Sequence, residues 1–112
     1  MKTLYLCRHA KSSWADSGMN DFDRPLNERG LRNAPFMAKV FKNRGEPVDL
    51  MISSPAKRAL ATAHHFATAM GLAPEHLQQD HSMYLVEVHR LVQLVNDLPP
   101  PIHRIMLFGH NP

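Results

Sequence analysis

Arg8-His9, Arg58 and Gly109-His110 are the residues of this chain whose types and positions could do chemistry. Each follows, or lies one helical turn beyond, a segment that reads as a strand. Taken singly they say little. An Arg-His pair near a strand end is usually incidental, a late Gly-His is no better, and Ser53-Ser54-Pro55 is usually a helix cap. Their coincidence at one place carries the weight. In open α/β sheets the carboxyl ends of parallel strands line the ligand crevice, so three segments distant in sequence deliver two arginines and two histidines to one sheet edge. A guanidinium is a planar fork that takes phosphate oxygens in pairs. A helix start adds free N–H groups and positive partial charge. Together these features describe an anion pocket.

The elements that must position them follow from patterning. Thr3–Cys7 is a nearly continuous apolar run, as in a buried parallel strand, and a polar loop over Lys11–Arg24 follows. Asn27 is the expected N-cap of a helix from Glu28 to Asn43, whose apolar positions Leu31, Ala34, Met37, Ala38 and Phe41 recur at three- and four-residue spacing. Gly30, in its first turn, and Pro35 count against an ideal helix, and Gly45 stands where a terminating glycine is expected. Val48–Ile52 reads as the second strand. A serine cap with Pro55 at the first helical position should open a helix to Met70, with Ala59, Ala63, Phe66, Ala67 and Met70 on one face. Arg58 would then be its fourth residue and lean back toward the crevice. His76–Asp80 is a short strand, and Glu87–Leu98 a third helix with Val88, Leu91, Val92 and Val95 inward. Arg104–Phe108 is the last strand, with Ile105 and Leu107 on one face and Met106 and Phe108 on the other. Strands alternating with helices predict an α/β fold with a mostly parallel central sheet between helical layers.

Four motifs then appear in order. Arg8-His9-Ala10 stands with Lys11-Ser12-Ser13-Trp14. Next comes Arg24-Pro25-Leu26-Asn27-Glu28-Arg29-Gly30, then Ser53-Ser54-Pro55-Ala56-Lys57-Arg58-Ala59 with Thr62, and last Gly109-His110-Asn111-Pro112. This set resembles the histidine phosphatase superfamily over nearly the whole chain, and within it the small bacterial SixA-type phosphohistidine phosphatases. The resemblance implies a three-layer, phosphoglycerate-mutase-like α/β/α fold and a phosphatase mechanism. His9 would attack phosphorus and become transiently phosphorylated, Arg8 and Arg58 would bind the phosphate oxygens, and His110 would assist as the transition state forms. The chemistry is consistent. Neutral imidazole is a good nucleophile, and a covalent intermediate divides one difficult displacement into two. Cationic groups stabilise charge spread over the equatorial oxygens.

The general acid is open at this point. Larger superfamily members take a carboxylate from the region holding Glu87, but many small members read Leu-Tyr-Glu where this chain has Met83-Tyr84-Leu85. Glu87 is therefore a candidate acid or simply the start of a helix. Asp21 and Asp23 are alternatives, or else are solvated or orient Arg24 or Lys11. A phosphohistidine needs less help, because imidazole protonates near pH ~6.5 and leaves as a neutral molecule. The intervals between the motifs hold no insertion for a lid, which suits a phosphate displayed on a protein. Rival readings are a phosphatase of small metabolites and a non-catalytic phosphate-binding module.

No cofactor is implied and no metal site is expected, since His64-His65 lies mid-helix in a surface or packing role. The expected partner is a phosphorylated protein or a phosphate-bearing small molecule. The 13 basic and 10 acidic residues leave a formal net charge of +3; this mild charge, scattered and without an aromatic platform, argues against a nucleic-acid module. The apolar run at Thr3–Cys7 is too short for a membrane span. Cys7 is the only cysteine, so no internal disulfide forms, and a cytoplasmic protein is expected. The chain is read as one domain, 1–112, and the resemblance implies that it lacks the C-terminal elements of its relatives. An exposed apolar patch is therefore expected near its C-terminus.

Overall fold

The computed structural model describes residues 2–13, 20–84 and 88–110. Its strands are β1 (Thr3–Arg8), β2 (Leu50–Ser53), β3 (Leu77–Gln79) and β4 (Arg104–Gly109), and its helices α1 (Glu28–Asn43), α2 (Lys57–Met70) and α3 (Val88–Asn96). The four strands form one parallel sheet in the order β1-β4-β2-β3. The chain is thus α/β, with helices on both sheet faces.

Alternation along β4 divides the core in two. Met106 and Phe108 join Met51 from β2 against Ala38 of α1 and Ala63, Phe66 and Ala67 of α2. Ile105 and Leu107 join Leu50, Ile52 and Met83 against Leu91, Leu94 and Val95 of α3. Phe66 meets Phe108 edge-on, with ring centroids 5.3 Å apart. Small residues on α2 let it lie close to the sheet, which brings its N-terminal end beside the ends of β1 and β4. Removing a fully buried ring such as Phe108 costs about 3–5 kcal/mol.

Several expectations are corrected. β1 is an edge strand, not a buried one: Leu6 is 66% exposed, although its neighbour across the ladder, Leu107, is buried. An apolar run alone cannot tell a central strand from an edge strand whose outer face is uncovered. The apolar exposure accordingly falls on Leu4 and Leu6 of β1 and on α1 (Leu31, Phe36, Met37, Val40), while the closing strand β4 is buried from Ile105 onward. Val92, expected inward, is exposed, and so are Leu31 and Met37 of the apolar spacing on α1. On α3 the inward stripe runs through Leu91, Leu94, Val95 and Leu98, and Val92 lies beside it. β2 begins at Leu50, just after Asp49, whose carboxylate accepts the His103 and Arg104 N–H groups, each at 2.9 Å, while its N–H donates to the Arg104 carbonyl at 2.8 Å. Glu87 and Val86 lie outside the described residues, and α3 is described from Val88.

α2 begins at Lys57, not at Pro55, and its N-cap is Ala56 with no side-chain cap. Ser54 does not cap it as expected. The Ser54 hydroxyl accepts from the Ala56 N–H at 3.2 Å in a turn before the helix and has a second partner described below. Arg58 is therefore the second helical residue rather than the fourth.

Candidate active site

The segment after β1 is pinned from three sides. The His9 N–H donates to the Gly109 carbonyl at 3.0 Å, which ties it to the end of β4. The Ala10 N–H donates to Thr62 Oγ1 at 3.0 Å, and that hydroxyl donates to the Arg58 carbonyl at 2.9 Å. Thr62 lies one helical turn beyond Arg58, so α2 holds the His9–Ala10 segment and the arginine together. The third tie comes from α1. The Asn27 N–H donates to the Lys11 carbonyl at 2.9 Å, and the Asn27 side chain caps α1 by accepting from the Gly30 N–H at 2.8 Å. Gly30 is required here, because a Cβ on it would lie 2.2 Å from the Lys11 carbonyl oxygen. Ser12 and Leu26 form an antiparallel bridge.

These ties orient His9. Its Nδ1 lies 2.7 Å from the Ala10 carbonyl oxygen. A carbonyl only accepts, so Nδ1 carries the proton and Nε2 presents its lone pair. Arg58 Nε–H points at that lone pair from 3.3 Å. Half-burial, followed by the Arg58 and Arg8 charges, outweighs the Ala10 hydrogen bond and holds the His9 pKa below the usual histidine value. The ring is neutral near pH 7.

His110 is fixed at both nitrogens. Nδ1 lies 3.2 Å from Arg58 Nη2, and Nε2 lies 3.0 Å from Ser54 Oγ. Arginine only donates, so Nδ1 accepts and Nε2–H donates to the serine. Burial, then the Arg58 charge, pushes its pKa down to about 4. The two histidine rings lie 5.3 Å apart between centroids, and Tyr84 meets His110 edge-on at 5.3 Å.

Arg58 sits between the histidines, 3% exposed. It also donates from Nη1 to the Asp21 carbonyl at 2.5 Å and from Nη2 to Asp21 Oδ2 at 3.0 Å. Asp21 belongs to a 3-10 turn at Asp21–Asp23. Its carboxylate further accepts from Tyr84 Oη at 2.5 Å and from Arg24 Nη2 at 2.9 Å. Arg24, itself buried, donates to Ser12 Oγ at 2.6 Å. The Tyr84 bond first, then those of Arg24 and Arg58, hold the Asp21 carboxyl well below the usual carboxylate range. Asp21 is ionised and carries no proton to donate at neutral pH.

Arg8 ends β1 and is exposed. With His9, Ala10, Lys11, Ser12 and Arg24 it lines a cleft of about 280 Å³. The structure thus brings His9, Arg58 and His110 into direct contact and sets Arg8 on the cleft beside them. Glu87 lies outside the described residues. Asp23 is exposed, and Asp21 orients Arg24, as one sequence alternative had it, and Arg58 as well. Ser54 and Tyr84 are site partners that the sequence reading missed, as are the bonds from Asp21 to Arg58 and Tyr84. Ser54 carried the signal of a cap motif, and nothing in sequence pairs Asp21 with Tyr84. Among the described residues, no three His, Cys, Asp or Glu side chains cluster so as to hold a metal ion. No helix among them is long and apolar enough to cross a membrane.

Residues 4–84 match the histidine phosphatase superfamily (branch 1), and the chain belongs to that family. It is 31% identical, over 98% of its own length, to an uncharacterised chloroplast protein of Arabidopsis thaliana, and covers 54% of that protein. Phosphoserine phosphatase 1 of Hydrogenobacter thermophilus is 38% identical over 64% of this chain, which covers 34% of that enzyme. The crystal structure of SixA from Agrobacterium tumefaciens, provisionally assigned as a phosphohistidine phosphatase, superposes with a TM-score of 0.88 at 35% identity, covering 97% of this chain and 68% of that one. The fold is therefore that of the phosphoglycerate-mutase-like histidine phosphatases.

Proposed function

We propose that this chain hydrolyses phosphohistidine on a protein substrate through a covalent phosphohistidine intermediate at His9. The observation that carries the reading is the His9 tautomer: Nδ1–H is spent on the Ala10 carbonyl, and the Nε2 lone pair is left beside Arg58. A binding module needs the arginines but has no use for an oriented nucleophile. Arg8 and Arg58 take the phosphate oxygens, and Nε2 attacks phosphorus as the substrate's P–N bond breaks. The departing imidazole leaves neutral, keeping the proton it already carries. Water then attacks phospho-His9, the P–Nε2 bond breaks, a proton passes to solvent and phosphate is released. His110, neutral in the free enzyme because of burial and then the Arg58 charge, takes a proton from solvent as the phosphate dianion enters beside it and donates to a phosphate oxygen. Phosphohistidine needs no separate acid for its leaving group, and Glu87 remains only the sequence's candidate acid for substrates with poorer leaving groups. The SixA likeness supports phosphohistidine as substrate, and a cytoplasmic location goes with the reading.

The test is trapping. Brief incubation with a ³²P-phosphorylated histidine protein, quenched in alkali, should leave label on His9, and His9→Ala should abolish both label and turnover. Label on another residue, or an active His9→Ala protein, would overturn the mechanism. Faster turnover of phosphoserine than of phosphohistidine protein would move the substrate toward small metabolites, the reaction named for the Hydrogenobacter relative.

A further inference from the structure

Arg58 has five N–H donors, and four of them are already directed at protein atoms. Nε–H faces His9, one Nη2–H faces His110, and the remaining two bonds run to the carbonyl oxygen and Oδ2 of Asp21. Asp21 thus holds the Nη1/Nη2 edge of the guanidinium in a two-point grip, the grip that a phosphate would use on the same edge. The Asp21 side chain is 42% exposed while that of Arg58 is 3% exposed. The arginine is a fixture of the core, and the carboxylate is the partner that can leave. Arg24 would not be stranded by its departure, because it keeps Ser12 Oγ.

We infer that Asp21 is the resident anion of the phosphate site: it occupies Arg58 in the free enzyme, competes with the incoming phosphate for it, and so sets phosphate affinity. This rests on the phosphatase reading only in taking Arg58 as a phosphate ligand. The physical ground is that two anions cannot share one guanidinium edge without repulsion, so phosphate either displaces the carboxylate or binds against its charge. The arrangement has a use in turnover. A site with unopposed arginines would hold inorganic phosphate and release it slowly, whereas a carboxylate waiting at the mouth reclaims Arg58 as the product leaves.

The sign of one measurement separates this role from a merely structural one. If Asp21 only positioned Arg58, its loss would weaken phosphate binding. If it competes, its loss must strengthen binding. Inorganic phosphate is titrated calorimetrically into wild type, Asp21→Asn and Asp21→Glu at low ionic strength, with thermal melts to establish that each is folded. Asp21→Asn should bind phosphate about three- to fivefold more tightly, the worth of a partly exposed charge interaction, and the gain should shrink with added salt. Asp21→Glu, which keeps the charge, should stay within about twofold of wild type. Equal or weaker binding by folded Asp21→Asn would overturn the inference. So would failure of both Asp21→Asn and Asp21→Ser to fold, since the carboxylate would then be a structural group. Wild type that binds no phosphate at all would instead sink the phosphatase reading.

Discussion

His110 donates its Nε2–H to Ser54 Oγ at 3.0 Å, and this bond decides which ring nitrogen faces the site. Ser54 is fully buried and accepts as well from the Ala56 N–H, so the hydroxyl is itself anchored. With Nε2 committed, Nδ1 points at Arg58. Ser54→Ala removes the anchor without touching Arg58 or His9. A lost buried hydrogen bond is worth about 1–3 kcal/mol, so turnover of an aryl phosphate should fall by roughly ten- to a hundredfold while phosphate affinity changes little. Steady-state kcat measured beside calorimetric phosphate binding checks the split, and equal losses in both would assign Ser54 to binding.

Acid should destabilise this protein earlier than carboxylate protonation alone would cause. The His110 pKa is pushed down to about 4, against ~6.5 in an unfolded chain. Between those values the unfolded state binds more protons than the folded one, so stability rises with pH through that window and is flat above it. His9 is shifted the same way and adds to the effect. The lowered carboxylates Asp21, Asp49 and Asp80 act with the same sign, but only below their usual range. Melting temperatures from pH 4 to 8 should therefore climb until about 6.5 and then level. His110→Asn should flatten part of the climb, and saturating phosphate should flatten it too by holding His110 charged.

Hydrolysis should survive chelators and be inhibited by vanadate. The phosphate ligands argued for here are guanidinium groups and imidazoles, and among the described residues no cluster of His, Cys, Asp and Glu could hold an ion. Vanadate takes five-coordinate geometry like the phosphorus in transfer, so it should bind between His9 and Arg58 and compete with substrate. Activity lost in EDTA and restored by a divalent ion would contradict this account of catalysis.

Strand ends made the convergence of Arg8, His9, Arg58 and His110 legible in the sequence, because a parallel sheet gathers its carboxyl ends at one edge. Asn27 was legible for a local reason: a cap acts within one turn of chain, and its side chain does accept from the Gly30 N–H. Ser54 was misread for the same locality. Ser-Ser-Pro before a helix looks like a cap wherever it occurs, and only the return of β4 shows that the hydroxyl serves His110. Asp21 and Tyr84 are 63 positions apart, and no periodicity links a loop residue to a tyrosine beyond β3. The same limit applies to β1. Thr3–Cys7 has the composition of a central strand, while Leu6 is exposed because of where β1 falls in the strand order.

Gly30 offers a test in which two principles give opposite signs. In an exposed helix, glycine to alanine stabilises by roughly 1 kcal/mol, because alanine loses less backbone entropy. Gly30 is buried in the first turn of α1, and its missing side chain is where the Lys11 backbone passes: a Cβ would come within 2.2 Å of the Lys11 carbonyl oxygen. That atom also accepts the Asn27 N–H, so it cannot retreat without breaking the tie between α1 and the segment after β1. Gly30→Ala should therefore destabilise by about 1–3 kcal/mol, the usual cost of overpacking. It should also lower kcat, because moving Lys11 pulls on Ala10, whose carbonyl sets the His9 tautomer. Asn33→Ala, at an exposed position on the same helix, is the control and should be neutral or slightly stabilising. Urea unfolding of both variants beside aryl phosphate turnover decides it. A Gly30→Ala protein as stable and as active as the control would mean that the Lys11 segment is free to shift, and that His9 is not held by the contact argued here.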